Sequence, residues 1–212
     1  TIIISTGQVC ATLSRVLVPR RLQSQYAEAL AAELAAVKVG DPFDATSQMG
    51  PLSMERQLQR VVSYMEKGRA EGAQLVCGGS RSRHMPKGWY FDPTLFTGVD
   101  RGMTIAQEEI FGPVIALMAY DDEAEAIAIA NDSRYGLFGA VFTQDVDRAY
   151  RIARAVRTGA LAHNAFHMDF FLPFGGFKQS GIGRETHKMM LDHYQQTKNL
   201  LVSYNPNPLG FF

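Results

Sequence analysis

"VIALMAYDDEAEAIAIA" (Val114–Ala130) sets two patterns end to end. Its first seven residues are apolar without a break and begin on β-branched side chains, the pattern of a strand buried on both faces. Asp121 or Asp122 then supplies a capping carboxylate, and Ala124, Ile127 and Ala130 recur every three residues along the core side of a helix. The pattern repeats downstream. Gly139–Thr143 reads as a strand, and Asp145 opens a helix with Ala149, Ile152, Ala153 and Val156 on one side, closed at Gly159. Strand and helix in alternation imply an α/β fold whose largely parallel sheet is flanked by helices.

The N-terminal part fits the same alternation. Ile2-Ile3-Ile4 suggests a buried strand that runs into a turn at Thr6-Gly7, and Ser14–Pro19 a second short strand. Leu22, Tyr26, Leu30 and Leu34 draw one apolar stripe on a helix from about Arg20 to Lys38. Val39–Asp44 breaks it with turn residues. Ser53 is a candidate N-cap for a helix whose Leu58, Val61, Val62 and Met65 share a face, ended by Gly72. Gln74–Cys77 reads as a strand stopped at Gly78-Gly79, and residues 80–88 as an exposed loop. Trp89–Phe91 and Thr94–Phe96 are strand-like, with Pro93 marking an edge or bend. A last strand pattern, Lys198 to Tyr204, precedes a proline-containing tail.

The chain has 212 residues, with 21 basic and 21 acidic side chains. That balance gives no electrostatic case for nucleic acid or an anionic membrane surface as a partner. No apolar run approaches the roughly 18 residues of a spanning helix, and Ile2–Ile4 lacks the length and basic flank of a signal peptide. Two cysteines, Cys10 and Cys77, suit a reducing compartment rather than a disulfide framework, so the expected location is cytoplasmic. The five histidines show no metal-ligand spacing, and no metal is expected.

Three stretches carry chemistry-bearing residues. Gly7-Gln8-Val9-Cys10 places a thiol after a residue free to turn sharply; a buried inert thiol and a reachable nucleophile are both open readings. Cys77, inside a strand pattern, has only the inert reading. Glu108-Glu109-Ile110-Phe111-Gly112-Pro113 sets a carboxylate and an aromatic ring at the mouth of the 114–120 strand, where α/β folds bind ligands. Such a carboxylate can accept from ribose hydroxyls, and the ring can pack on a flat heterocycle. Pro173–Glu185 is rich in glycine and carries Lys178 and Ser180, yet it has neither phosphate-loop nor dinucleotide-turn spacing.

Together these stretches resemble the aldehyde dehydrogenase superfamily. Gly7–Cys10 is similar to its Gly-Gln-x-Cys, Glu108–Pro113 to its Glu-Glu-Ile-Phe-Gly-Pro, and Pro173–Glu185 to its Pro-Phe-Gly-Gly-x-Lys-x-Ser-Gly-x-Gly-Arg-Glu loop. Asn131–Leu137 adds the family's Asn-x-x-x-Tyr-Gly-Leu turn, and all four stand in the family's order. The resemblance implies that Cys10 is the nucleophile that adds to an aldehyde, with its own N–H on the oxyanion. It implies Glu109 on the nicotinamide ribose, Phe111 beside the nicotinamide and Glu185 in a proton path from the base. Val9, Ala11 and Phe174 would shape the aldehyde tunnel. Phe166–Leu172, including Met168, would line its mouth, unless those aromatics are core packing. The implied cofactor is NAD or NADP, and the implied partners are an aldehyde and further copies of the chain.

The sequence also departs from the family pattern. The family's general base stands in a Glu-Leu-Gly-Gly-Lys element upstream of the thiol, its second oxyanion donor is an Asn further upstream, and its pyrophosphate turn precedes both. None has a counterpart among residues 1–9. Met49 stands before Gly50-Pro51 where many relatives place a cofactor-contacting Gln. The chain therefore resembles the C-terminal portion of the family, with residues 1–193 as the thiol-bearing catalytic domain and 194–212 as an oligomerisation strand and tail. Three readings compete. One is the catalytic-domain part of an NAD(P)-dependent enzyme, inactive alone. Another is a non-catalytic assembly module pairing through Lys198–Tyr204. A thiol hydrolase is the third, and it lacks the family's hydrolytic base.

Overall fold

The computed structural model describes residues 1–167, 169–208 and 210. In chain order its main elements are β1 (Arg15–Pro19), α1 (Gln23–Ala35), α2 (Glu55–Ala70), β2 (Gln74–Cys77), β3 (Thr94–Thr97) and α3 (Thr104–Gln107). They continue as β4 (Val114–Tyr120), α4 (Glu123–Asn131), β5 (Phe138–Val141), α5 (Val146–Ala155) and β6 (Ala160–His163). One sheet has the order β1-β4-β3-β2, and a second holds β5 and β6. All pairings are parallel except β2 against β3.

β4 organises the larger sheet because it is apolar on both faces. Val114, Ala116 and Met118 pack with Leu58, Val61 and Met65 of α2 and with Phe96. Ile115 and Leu117 turn the other way, against Val18, Leu95 and the Ala27 and Leu34 side of α1. Strand periodicity thus divides one continuous apolar run between two helical layers. Each fully buried aliphatic side chain contributes about 1.5–3 kcal/mol, which makes this strand the anchor of the fold.

Local signals place most boundaries. Asp122, not Asp121, caps α4 by accepting from the Glu125 N–H at 2.8 Å; Asp121 pairs with Arg20 at 2.6 Å. Asp145 caps α5 through the Arg148 N–H at 3.0 Å. Gly72, with φ +97°, follows α2 as the left-handed residue that lets the chain leave a helix.

Several expectations need correction. Ile2–Ile4 is no strand. Ile2 is buried, Ile4 is half exposed, and the backbone closes locally in a 3₁₀ turn over Ile4–Gly7 in which Ser5 and Thr6 are left-handed. The expected helix over 20–38 is a 3₁₀ turn at Arg20–Leu22 followed by α1, which stops at Ala35 before β-branched Val37 and Val39. Ser53 caps nothing: α2 starts after Met54, and the Ser53 N–H instead donates to Gln8 Oε1 at 3.0 Å. Trp89–Phe91 yields a single bridge, Phe91 to Arg81. α5 ends at Ala155, four residues before Gly159. Lys198–Tyr204 forms no strand within this chain, and Leu200, Leu201 and Tyr204 stand exposed. Met168 lies outside the described residues.

Candidate active site

Cys10 is exposed and stands just past the 3₁₀ turn, in a bend closed by the Thr12 N–H donating to Val9 O at 2.9 Å. Gly7 shapes that approach. It sits at φ +72°, and a Cβ there would overlap the Gly112 carbonyl. Only glycine permits both the dihedral and the contact. The turn is fixed from the side as well: Thr6 Oγ1 donates to Gly50 O at 3.0 Å, and Gln8 Nε2 donates to Ser5 O at 2.9 Å. The thiol-bearing turn is therefore packed, backbone on backbone, against the Phe111-Gly112-Pro113 corner.

That corner is strained and clamped. Phe111 adopts φ +58°, a conformation that costs a bulky residue about 1–3 kcal/mol. Gln57 Nε2 donates to both Ile110 O (3.0 Å) and Phe111 O (2.6 Å), and Arg60 donates to Glu109 O at 2.5 Å. Tyr64 extends the clamp, accepting from Arg60 at 3.0 Å and donating to Glu108 Oε2 at 2.8 Å. Burial, then the bond to Glu108, pushes the Tyr64 hydroxyl above its ordinary pKa. These three polar residues were not expected at the site. Their spacing at 57, 60 and 64 puts them along one side of α2, which shows that they are neighbours on the helix but not that the side meets the corner.

A cavity of about 970 Å³ opens beside the turn, and Val9, Cys10, Glu109 and Phe111 stand in its wall. Glu109 is exposed and Phe111 half buried. Ala11 is 2% exposed and packs inward, outside that wall. Phe166 meets the cavity only through Phe138, on which its ring packs edge-on at 5.3 Å between centroids. Phe174 and Glu185 lie elsewhere, joined by reciprocal backbone bonds of 2.9 and 2.7 Å. Cys77 is half buried in β2, and burial raises its thiol pKa.

The glycine-rich loop has a structural use for its conspicuous residues. Lys178 Nζ donates to Asn131 O (2.8 Å) and Ser133 O (2.9 Å), closing the C-terminal end of α4, and burial lowers its pKa. Ser180 Oγ accepts from the Gly136 N–H at 2.9 Å, and Arg184 donates to Gly176 O at 3.1 Å. The loop and the Asn131–Leu137 turn are thus one unit. Among the described residues no group of three or more His, Cys, Asp or Glu is placed to hold a metal ion, and no helix is long and apolar enough to cross a membrane.

Fold and site define an α/β domain that carries an exposed thiol at the wall of a cavity of about 970 Å³, beside a carboxylate-and-aromatic corner. The sequence model of the aldehyde dehydrogenase family matches residues 1–200, and the chain belongs to that family. It is 46% identical over 210 residues to an acetaldehyde dehydrogenase of Pseudomonas aeruginosa, covering 97% of this chain and 41% of that protein. Betaine aldehyde dehydrogenase of Staphylococcus aureus, solved in complex with NAD+, superposes with a TM-score of 0.97 at 40% identity, over 99% of this chain and 42% of that one. Aldehyde dehydrogenase of Mycobacterium tuberculosis complexed with NAD+ gives 0.91 at 45% identity, over 98% and 42%. The chain thus spans about two-fifths of the length of these relatives.

Proposed function

We propose that this chain supplies the thiol-bearing part of an NAD- or NADP-dependent aldehyde dehydrogenase, with Cys10 as nucleophile, and that the 212 residues alone do not turn over. Family membership supports the reaction class. The observation that carries the assignment is the Gly7–Gly112 contact, which brings the thiol turn and the acidic–aromatic corner to one cavity.

An aldehyde has no leaving group except hydride, so a thiol is the fitting attacker. The Cys10 thiolate adds to the carbonyl carbon and yields a hemithioacetal whose oxygen carries the charge. The Cys10 backbone N–H, as the family resemblance implies, donates to that oxyanion. Exposed Glu109 fits a ribose, accepting from its hydroxyls, and the half-buried Phe111 ring fits the flank of a nicotinamide. When bound, NAD+ or NADP+ supplies the hydride acceptor through which the hemithioacetal becomes a thioester. Val9 stands in the cavity wall next to the thiol and bounds the space for the aldehyde's substituent. Ala11 and Phe166 contribute to the aldehyde pocket through packing behind that wall, and Phe174 takes the place in the aldehyde tunnel that the family resemblance implies. Glu185, exposed beyond it, takes part in moving the proton that hydrolysis releases. The exposed apolar run at 198–204 supports assembly of the chain with further copies, residues 1–193 forming the catalytic domain and 194–212 the assembly segment.

A chimera tests this reading. The matched segment of the M. tuberculosis aldehyde dehydrogenase is replaced by these 212 residues, and NADH formation from acetaldehyde is followed. Turnover is expected, with Cys10→Ala lowering it by at least about a thousandfold while NAD+ binding persists. A folded Cys10→Ala chimera that still turns over overturns the assignment. Sustained turnover by the 212 residues alone overturns their inactivity.

A further inference from the structure

Glu108 and Glu109 stand side by side at the 970 Å³ cavity, and they meet it differently. The Glu108 carboxylate is engaged on both oxygens: Oε2 accepts from the Tyr64 hydroxyl at 2.8 Å, and Oε1 lies 3.8 Å from Arg134 Nη2. Glu109 is exposed, and its carboxylate has no hydrogen bond or ion pair among the described residues. Glu108 is extended, at φ −110° and ψ 149°, so the side chains on either side of the 108–109 peptide point apart. The setting of that one peptide unit therefore decides which glutamate faces a ligand.

One circuit of bonds through α2 holds this peptide from both ends. Tyr64 Oη donates to Glu108 and accepts from Arg60 Nη2 at 3.0 Å, and the same nitrogen donates to Glu109 O at 2.5 Å. The circuit leaves the main chain at Glu108 and returns to it one residue later. A hydroxyl has a single hydrogen, so the direction is fixed from Arg60 to Tyr64 to Glu108, each bond polarising the next. Tyr64 is 3% exposed, and two cations lie over its ring, Arg60 Cζ at 5.1 Å and Lys67 Nζ at 4.8 Å from the centroid. Without the Glu108 carboxylate the buried hydroxyl has to turn its hydrogen elsewhere, and the lone pair that meets Arg60 turns with it. The disturbance then passes through Arg60 to the Glu109 carbonyl. Both flanks of the circuit are fixed in their turn: the Glu108 N–H donates to Thr104 O at 2.9 Å, and Arg134 O accepts from the Gln179 N–H at 2.9 Å.

We propose that Glu108 is a positioning residue for the cofactor site, holding the 108–109 peptide through Tyr64 and Arg60 in the orientation that aims the Glu109 carboxylate at the ribose hydroxyls. This rests on the reading of Glu109 as the ribose acceptor. Glu108 itself touches no ligand. A carboxylate whose place is set before the ligand arrives loses no affinity to being ordered on contact. The two adjacent acids thus divide the work: one is committed to the protein, and the other is thereby aimed.

The chimera that tests Cys10, a full-length form in which a cofactor can bind, carries the experiment. NADH binding is read by fluorescence, NAD+ kinetics by initial rates, and folding by melting temperature. Glu108→Ala is expected to weaken NADH binding at least tenfold and to raise KM for NAD+ by as much. Its kcat at saturating NAD+ is expected to change less than threefold, because a contact made equally in ground and transition states acts on KM. Glu108→Gln keeps an acceptor for Tyr64 and is expected to bind within threefold of the parent. Glu109→Ala is expected to weaken binding at least tenfold, and adding Glu108→Ala to it less than twofold further, since Glu108 acts only through Glu109. Tyr64→Phe breaks the same circuit at its next position, and reads the proposal by the same pair of measurements if Glu108→Ala does not fold. Undiminished binding by Glu108→Ala beside a weakened Glu109→Ala overturns the proposal and leaves the ribose assignment standing. Undiminished binding by Glu109→Ala overturns that assignment, and the proposal with it. Equal losses in Glu108→Ala and Glu108→Gln overturn the proposal alone, because the charge and not the bond to Tyr64 then acts. So does a Glu108→Ala loss that persists in full when Glu109 is already alanine, the mark of a merely structural role.

Discussion

Substituting Gly7 by alanine isolates the contact on which the site geometry rests. Two costs combine. The first is conformational: at φ +72° a side chain meets the steric penalty of the left-handed region, about 1–2 kcal/mol. The second is spatial, because the new Cβ overlaps the Gly112 carbonyl and the backbone of one turn or the other has to move, at about 1–3 kcal/mol. Gly72→Ala is the control. Gly72 has φ +97° and nothing within 4 Å of a built Cβ, so that variant bears the conformational cost alone. Urea unfolding at constant m reads both. Gly7→Ala is expected to lose about 2–5 kcal/mol and Gly72→Ala about 1–2, leaving a difference of at least about 1 kcal/mol. Losses equal within about 0.5 kcal/mol would refute the close approach of the two turns.

Iodoacetamide is expected to alkylate Cys10 at least about tenfold faster than Cys77, since the first thiol is exposed and the second is half buried with a raised pKa; mass-resolved peptides check this, and equal rates contradict it. Tyr64→Phe removes the hydroxyl shared with Glu108 and Arg60 and is expected to cost about 1–2 kcal/mol in urea unfolding near neutral pH. Because the folded state raises the Tyr64 pKa, its contribution is full below about 10 and is lost as the pH climbs above it. The Tyr64→Phe chain is therefore expected to show the shallower alkaline decline, and identical slopes count against the argument.

The sequence was most legible where one local pattern sufficed. Val114–Tyr120 had the length, branching and continuity that only a doubly covered strand uses, and Asp145 had a helix directly behind it. Legibility failed where a distant contact decides. Ile2–Ile4 has strand propensity, but the first residues are bound into a turn by Gly112, Gly50 and Pro51, more than forty positions away. Lys178 and Ser180 lack ligand-loop spacing in the sequence, but their structural use, bonding to partners at 131–136, depends on residues more than forty positions away. Gln57 and Arg60 were unreadable as site residues because nothing local links α2 to the carbonyls of 109–111.

The Gly7–Gly112 contact has a mechanical consequence. Side chains ordinarily buffer neighbouring segments, since a rotamer can shift while both backbones stay put. Between these two turns there is none to shift, so a displacement of the Phe111 corner passes undamped to the peptide units leading to Cys10. Gln57 and Arg60, by gripping that corner, set the position of a thiol that neither of them touches. The position of Cys10 is in this sense tied to α2 through the corner and the turn that carries it.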